Sequence, residues 1–249
     1  MKKTAVIILA AGKGTRMGSD TAKVLHPIDG KEMILFVVDE AVRVAGNNVV
    51  VVVGTQAERV KEVVSRNHPG IRFALQEDQL GTGHAVSCAV PELPGHAEHV
   101  LILCGDVPFI RASTLLELVK SHIRSENVIS VLGAEVDQPY GYGRLVTDEN
   151  NRILAIVEEA DATEDERKIR LINSGIYCVN RLSLKSFLDR IRTDNVQKEM
   201  YLTDIVGIAA GEGARIGMTV STDNHEVMGI NTPADLRKAC AVIASNENP

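Results

Sequence analysis

The sequence predicts an α/β fold built on a mixed, mostly parallel sheet with helices on both faces. Two patterns predict it: apolar runs of strand length alternate with amphipathic stretches of helical periodicity, and the spacing between runs allows crossover connections. The composition agrees, because 45% apolar and 24% charged residues in 249 are typical of a globular protein. Ligands of such sheets bind at the carboxyl ends of the strands, so the functional site is expected at that edge.

The first half of the chain alternates predicted strands and helices. Residues Thr4–Ala10 form a continuous apolar run, which is typical of a strand buried on both faces. Residues 31–45 place apolar side chains on one helical face and end before Gly46, which favours a helix C-terminus. The same patterns predict strands at 48–54, 71–76, 99–104 and 128–136, and helices at 56–67, 82–90 and 114–125. Three polar loops that follow predicted strands are expected to share one edge: residues 12–16, 76–82 and 105–106.

The second half departs from strict alternation. Residues 144–148 and 152–158 flank a three-residue polar turn in the pattern of an antiparallel hairpin, and the charge-dense residues 160–170 predict a solvated helix or flap. Thr232 and Asp235 have the pattern of an N-cap and an acidic first turn. The remaining predicted elements are strands 171–179 and 215–220 and helices 182–191, 203–210 and 233–244. We therefore expect one domain with a small antiparallel lobe over the ligand-binding edge.

Composition and charge exclude several classes of function. Lys plus Arg number 27 against 33 for Asp plus Glu, a net charge of −6, which argues against a nucleic-acid partner. No apolar run approaches the roughly 20 residues that span a bilayer, and no small-residue cleavage site follows the N-terminal run, so a cytoplasmic protein without a membrane partner is expected. The four cysteines form no C-x-x-C pair, and His96 and His99 lack a metal-protease context, so neither disulfides nor zinc are expected.

The loop after the first strand carries the first chemical indication. Gly12 and Gly14 let backbone N–H groups approach an anion, and Lys13, Arg16 and Lys23 add cations. This pattern favours a phosphate site, with a simple tight turn as the alternative. The spacing argues against two other phosphate motifs, since glycines at 12, 14 and 18 do not fit G-x-G-x-x-G and no P-loop Gly-Lys-Ser/Thr is present.

A series of short motifs runs along nearly the whole chain: LAAGKGTRM (9–17), KVLH (23–26), LQ (75–76), QLGTGHA (79–85), GDVP (105–108), GYGR (141–144), IVE (156–158), INSGI (172–176), YLTD (201–204) and GIN (229–231). In this order they resemble the motifs of the sugar-1-phosphate nucleotidyltransferases, and most closely those of the uridylyltransferases that use N-acetylglucosamine 1-phosphate. The resemblance implies the Rossmann-like nucleotide-diphospho-sugar transferase fold over residues 1–249. It further implies a nucleotide-binding half at 1–136, a sugar-binding half and lobe at 137–231, and a C-terminal helix at 232–249.

The resemblance implies an activity in which UTP and N-acetylglucosamine 1-phosphate give UDP-N-acetylglucosamine and pyrophosphate. Because the attacking phosphate oxygen is already an anion, such a reaction needs positioning and charge stabilisation rather than a general base. Arg16 and Lys23 are the implied catalytic cations, with a surface lysine as the alternative for Lys23. The implied nucleotide-binding residues are Ala10, Ala11, Gly12, Gly14, Thr15, Gln76, Gly81 and Thr82.

The same resemblance implies Mg²⁺ as the cofactor, held by Asp106 and Asn231. One carboxylate and one amide oxygen suit an ion that otherwise takes water and phosphate oxygens. The alternatives are that Asp106 caps a helix and that Asn231 only precedes one. Thr82 has the corresponding alternative of an N-cap. The implied sugar-binding residues are Gly141, Glu158 and Asn173.

The sequence also departs from the family pattern. Cys104 stands where an aromatic residue is common, and Ala160 stands where a basic residue is often found. The bifunctional members continue into a β-helix acetyltransferase, and no hexapeptide repeats precede Pro249, so acetyl transfer and the associated trimer are expected to be missing. The alternatives in function are a non-catalytic nucleotide-sugar binding module and a transferase for another sugar 1-phosphate or for dTTP.

Overall fold

The structure, a computed structural model, describes residues 3–246. Its helices and strands follow the predicted alternation. In chain order they are β1 (Thr4–Ala10), β2 (Pro27–Ile28), β3 (Lys31–Glu32), α1 (Met33–Ala45), β4 (Val49–Val53), α2 (Ala57–Asn67), β5 (Arg72–Leu75), α3 (Thr82–Ala89), β6 (His99–Cys104), α4 (Ala112–Arg124), β7 (Ile129–Glu135), β8 (Arg144–Thr147), β9 (Ile153–Val157), β10 (Leu171–Asn180), α5 (Arg181–Leu188), α6 (Asp204–Gly211), β11 (Ile216–Ser221) and α7 (Pro233–Asn246).

Seven strands form the central sheet in the order β11-β7-β10-β6-β1-β4-β5, which confirms the mixed, mostly parallel sheet. Strands β6, β1, β4 and β5 run parallel to one another, and β11 runs parallel to β7. Strand β10 runs antiparallel between β6 and β7. The hairpin β8-β9 pairs with β10 and forms the predicted antiparallel extension. A strand from the second half of the chain therefore lies inside the sheet of the first half.

Side chains of the buried strands alternate between two apolar cores. Val6 and Ile8 of β1 face the core that contains α1, α2 and α4, whereas Ala5 and Ile7 face the core that contains α3, α5 and α6. Because both faces of β1 and β4 are covered by helices, these strands are apolar throughout. Helix α7 packs with β2 in a third, smaller cluster that includes Ile28.

Most predicted helices and strands differ from those of the structure by one to three residues at an end. The helix predicted at 31–45 begins only at Met33, because Lys31–Glu32 pairs with Pro27–Ile28 as a short hairpin. Residues 160–170 form mostly exposed turns with one 3-10 turn at Glu166–Lys168, so of the two predicted alternatives, a solvated helix or a flap, the structure has the non-helical one. Within residues 3–246, no helix has both the length and the apolar character needed to cross a membrane.

A pair of histidines, one fully and one partly buried, lies at the edge of the sheet opposite the carboxyl ends of β1 and β6. The rings of His99 and His122 meet edge to face with centroids 5.2 Å apart, and Nδ1 of His122 lies 3.0 Å from the Ser130 hydroxyl oxygen. His122 is fully buried, and this burial lowers its pKa to about 4. Burial also lowers the pKa of His99. Both rings are therefore neutral in the folded protein at neutral pH.

This pair predicts acid sensitivity of the fold. Between about pH 6.5 and pH 4 the unfolded chain binds a proton at His122 that the folded chain excludes, so the free energy of unfolding falls as pH falls through this window. The His122 contribution to the loss is roughly 3 kcal/mol. Chemical denaturation at several pH values measures it. His122→Asn should flatten the profile, the exposed His96→Asn should not, and an unchanged slope in His122→Asn would contradict the prediction.

Candidate active site

The carboxyl ends of β1, β5 and β6 open onto a cavity of about 500 Å³. The three predicted polar loops meet there, as expected for the shared edge of parallel strands. All eight residues predicted to bind nucleotide lie on its wall: Ala10, Ala11, Gly12, Gly14, Thr15, Gln76, Gly81 and Thr82. Glu199 is a further wall residue to which no sequence motif pointed.

Arg16, Lys23, Asp106 and Asn231 form one polar cluster on the wall of this cavity. The Lys23 ammonium contacts the Asp106 carboxylate and donates to Asn231 Oδ1 at 2.9 Å. Arg16 Nη2 donates to the same Asn231 oxygen at 2.9 Å. Only 15% of the Lys23 side chain is exposed, so Lys23 is not a surface lysine. The structure thus brings together all four residues predicted to serve catalysis and metal binding.

Close backbone packing places Lys23 in the cluster. Gly14 has a left-handed φ of +62°, and a Cβ atom on it would lie 2.7 Å from the Lys23 Cβ. Both facts require glycine at this position. Gly12 is different, because its φ lies outside the left-handed region and nothing lies within 4 Å of the position of a Cβ atom. The fold therefore does not require glycine at 12, which lies on the wall of the cavity.

Backbone hydrogen bonds hold the Asp106 and Asn231 segments together. The Ile230 N–H donates to the Asp106 carbonyl oxygen at 2.9 Å. Immediately after Asn231, the predicted start of α7 is confirmed: the Thr232 N–H donates to Asp235 Oδ2 at 2.9 Å, and the Asp235 N–H donates to Thr232 Oγ1 at 3.2 Å. This reciprocal capping anchors the helix end from which the Asn231 side chain extends.

Neither Asp106 nor Thr82 is the N-cap of a helix, so the alternative capping role is wrong for both. Helix α4 begins six residues after Asp106, and its N-cap is Arg111. The N-cap of α3 is Gly81 rather than Thr82, whose hydroxyl oxygen accepts the Leu202 N–H at 2.9 Å.

The polar cluster suits a magnesium ion that is bound together with phosphate. The Asp106 carboxylate and the Asn231 amide oxygen both contact the Lys23 ammonium, so the two oxygens lie around one point. These are hard oxygen ligands of the kind that Mg²⁺ takes alongside water and phosphate oxygens. No group of three or more His, Cys, Asp or Glu side chains in residues 3–246 is arranged to hold a metal ion. A bound phosphate and water would supply further ligands, as they usually do for Mg²⁺.

Gln76 presents an acceptor to the cavity. It is 3% exposed, and its Nε2 donates to the Gly81 carbonyl oxygen at 3.0 Å. Its Oε1 has no hydrogen-bond partner among the described residues. The loop around Gly81 packs on Met200, whose carbonyl oxygen accepts the Gly83 N–H at 2.7 Å. A Cβ atom on Gly81 would lie 2.6 Å from that oxygen, and the φ of +113° also requires glycine.

A second cavity of about 370 Å³ adjoins the first. The residues that line both are Arg16, Cys104, Asp106 and Asn231. Gly141, predicted to bind sugar, lies on the wall of the second cavity beside Tyr140 and Tyr142. Two cavities joined at a charged cluster can bring two ligands into contact at that cluster.

Glu158 and Asn173, also predicted to bind sugar, line neither cavity. They lie together around Gly143, because a Cβ atom on Gly143 would be 3.3 Å from Glu158 Oε2 and 3.6 Å from the Asn173 Cβ. Burial raises the pKa of Glu158, and a hydrogen bond from Thr203 opposes this shift. The structure thus brings these two residues to each other but not onto the cavity wall that carries Gly141.

A buried ion pair, whose residues were not predicted from the sequence as part of the site, shapes the loop around Gly141. The Arg144 side chain is 2% exposed and donates from Nη2 to Glu159 Oε2 at 2.7 Å. The same Glu159 oxygen accepts the Gly141 N–H at 3.2 Å. The pair therefore ties the glycine loop to the end of β9. The available indication was an arginine beginning an otherwise uncharged strand, β8.

Cys104 is a neutral wall residue between the two cavities. Burial and the nearby Asp106 charge raise the pKa of its thiol to about 12, so it stays protonated at neutral pH. A Cβ atom on Gly175 would lie 2.7 Å from the Cys104 sulfur, so the thiol packs directly on that turn.

Comparisons with known proteins accord with this geometry. A family model described as MobA-like NTP transferase domain matches residues 6–172. Relatives named bifunctional protein GlmU from Geotalea uraniireducens (strain Rf4) and Trichlorobacter lovleyi are 47% and 44% identical over 248 residues, which cover 100% of this chain and 54% of each relative. The GlmU protein of Geobacter sulfurreducens is 47% identical over 239 residues, 96% of this chain and 50% of that relative. The chain spans about half the length of the curated relatives it matches.

A solved structure shares the fold. It is that of a Bacillus anthracis protein provisionally assigned as a glucose-1-phosphate thymidylyltransferase, crystallised with sucrose. The TM-score is 0.76 over 96% of this chain and 94% of that chain, at 20% sequence identity. This likeness shows the fold alone.

Proposed function

This chain belongs to the family of MobA-like NTP transferase domains, and we propose that it transfers UMP from UTP to N-acetylglucosamine 1-phosphate, with Mg²⁺ as cofactor. The observation that carries the proposal is the convergence of Arg16, Lys23, Asp106 and Asn231 where two cavities meet. The 44–47% identity to GlmU proteins over the whole chain supports the choice of substrates. A non-catalytic binding module is not favoured, because all four polar residues are present and in contact.

We place the nucleotide in the 500 Å³ cavity. The free Gln76 Oε1 is an acceptor, which suits the N3–H donor of uracil and opposes cytosine, whose N3 is an acceptor. Backbone N–H groups of residues 12–15 and the Arg16 guanidinium would hold the triphosphate, as glycine-rich loops do. Residues 1–136 supply most of this wall, and residues 137–231 contribute Glu199 and Asn231.

In the proposed reaction an oxygen of the sugar phosphate attacks the α-phosphorus of UTP, and the bond to the pyrophosphate oxygen breaks. The chain contributes positioning and positive charge, since no proton has to be removed from the nucleophile. Lys23 and Arg16 would offset the repulsion between the two anions and the charge on the departing pyrophosphate. A bound Mg²⁺ ion held by Asp106 and Asn231 would supply further charge neutralisation at the phosphates.

The sugar is assigned to Gly141, Glu158 and Asn173. The last two lie outside the cavity walls, so a bound sugar must extend past Gly141 toward Gly143 to reach them. Reduced cysteines and charged substrates both suit the cytoplasm, where we place the protein.

A pyrophosphate-release assay tests the proposal. The purified chain is given each of UTP, dTTP, CTP and ATP with N-acetylglucosamine 1-phosphate or glucose 1-phosphate, with and without Mg²⁺. Release with UTP and N-acetylglucosamine 1-phosphate, dependent on Mg²⁺, is the expected result. No release with any pair would remove the enzymatic proposal, and a preference for dTTP or glucose 1-phosphate would remove the assigned substrates.

Gly12→Ala is predicted to weaken nucleotide binding without affecting the fold. The new methyl group meets no protein atom within 4 Å and enters the cavity, so the KM for UTP should rise about tenfold while the melting temperature is retained. Gly95→Ala is the matched control, because Gly95 is also unobstructed but lies outside both cavities. An unchanged UTP KM in Gly12→Ala would place the triphosphate elsewhere.

A further inference from the structure

Two buried hydroxyl groups form hydrogen bonds with the side chains of Glu158 and Asn173. Thr203, 4% exposed, donates from Oγ1 to Glu158 Oε1 at 3.0 Å. Asn173 Nδ2 donates to the hydroxyl oxygen of Tyr177, 2% exposed, at 2.7 Å. Neither hydroxyl belongs to a residue on the wall of the two cavities of the candidate active site. Each acts on a side chain that is assigned to the sugar.

The Thr203 hydroxyl does not serve the helix that follows it. Thr203 occupies the N-cap position of α6, where a threonine oxygen commonly accepts a backbone N–H of the first turn. No such hydrogen bond is made at this helix start. The hydroxyl instead reaches Glu158, which follows β9 and lies 45 residues earlier in the chain. Capping of the helix therefore does not explain why a threonine hydroxyl is buried here.

The orientation of the Asn173 amide is determined by the backbone. The Gly175 N–H donates to the Asn173 side-chain oxygen at 3.1 Å, so the atom at that position must be Oδ1. The Nδ2 group consequently faces Tyr177. This local turn accompanies the shift in pairing between β10 and β7 at Asn173 and Ile176. Bulges of this kind re-aim side chains beside functional sites.

These contacts leave one acceptor and one donor. Glu158 Oε2 faces Gly143 and accepts no hydrogen bond from residues 3–246, and Asn173 Nδ2 retains a second hydrogen. A sugar hydroxyl or an acetamido group both donates and accepts, so this pair matches its chemistry. If Glu158 or Asn173 could rotate freely, this match would be lost.

We propose that Thr203 and Tyr177 are positioning residues for the sugar, acting through Glu158 and Asn173 respectively. This inference rests on the proposed function, because it takes Glu158 and Asn173 as the sugar-binding side chains. Neither hydroxyl touches the reacting phosphates. Loss of either should therefore affect sugar recognition while nucleotide binding is retained.

Steady-state kinetics of three variants tests the Thr203 contact. Thr203→Val keeps the shape and removes the donor, so the KM for N-acetylglucosamine 1-phosphate should rise about tenfold while the KM for UTP stays within about twofold. Thr203→Ser keeps the hydroxyl and should restore near wild-type values. Thr4→Val removes a buried threonine hydroxyl at the start of β1, far from the site, and should change neither KM.

Tyr177→Phe provides an independent arm should Thr203→Val fold poorly. It removes the acceptor for Asn173 Nδ2 and is expected to lower the preference for N-acetylglucosamine 1-phosphate over glucose 1-phosphate, with the UTP KM unchanged. Suppose that the wild-type protein turns over but that Thr203→Val leaves the KM for the sugar phosphate unchanged, or raises the KM for the sugar phosphate and the KM for UTP equally. Either result overturns this inference and leaves the proposed function intact. Absence of wild-type turnover with every sugar phosphate overturns the proposed function and this inference with it.

Discussion

Asp106→Ala is expected to lower kcat/KM for nucleotidyl transfer by about 10³-fold at saturating Mg²⁺. Asp106 is the carboxylate of the polar cluster and the negatively charged candidate ligand of a divalent ion. Its removal also leaves the Lys23 ammonium without its anionic partner. Both effects change the charge around the two reacting phosphates. The variant should therefore have a lower kcat and need a higher Mg²⁺ concentration than the wild type.

The fold should tolerate this change. The hydrogen bond that joins the Asp106 and Asn231 segments uses the Asp106 backbone carbonyl, which alanine retains. Pyrophosphate release over a range of Mg²⁺ concentrations measures the loss of activity, and a thermal melt measures whether the fold is retained. Asp165→Ala serves as the control, because that side chain is 92% exposed and lies outside both cavities. Wild-type turnover in Asp106→Ala would refute its role as a metal ligand.

Lys23→Met is expected to lower kcat by about 10²- to 10³-fold. The ammonium contacts two oxygen groups of the cluster, and its backbone is packed against Gly14, so its position is closely defined. Methionine keeps a long unbranched side chain and removes the charge. The KM for UTP should change less than kcat if Lys23 acts on charge that develops during the reaction.

The same variant should bind a divalent ion more tightly in the absence of nucleotide. In the structure the Lys23 ammonium stands between the Asp106 and Asn231 oxygens, where it competes electrostatically with a metal cation. Titration with Mn²⁺ followed by electron paramagnetic resonance should show a severalfold lower Kd in Lys23→Met than in wild type. The exposed Lys120→Met is the control for both measurements. Weaker Mn²⁺ binding in Lys23→Met, or full turnover, would be inconsistent with this account.

The sequence alone predicted the sheet and the edge where the polar loops meet from local patterns, and the family resemblance named the nucleotide residues on that edge. Buried strands such as Thr4–Ala10 are recognisable from five to seven apolar residues in a row, and a polar loop directly after such a strand must lie at its carboxyl end. All eight nucleotide residues that the resemblance named lie on one cavity wall at this edge. Their roles toward a nucleotide stay predictions until the assays above are done.

The tertiary structure alone decided how the residues proposed for the sugar lie relative to one another and which buried side chains contact them. Strand β10 inserts antiparallel between β6 and β7, and its pairing with β8, which in turn pairs with β9, places Asn173 beside Glu158. Thr203 meets Glu158 across 45 residues of sequence, and Arg144 meets Glu159 from a neighbouring strand. Such pairs depend on which strands become neighbours and in which register, and this is settled by the packing of the whole sheet rather than by the residues near each position in the chain.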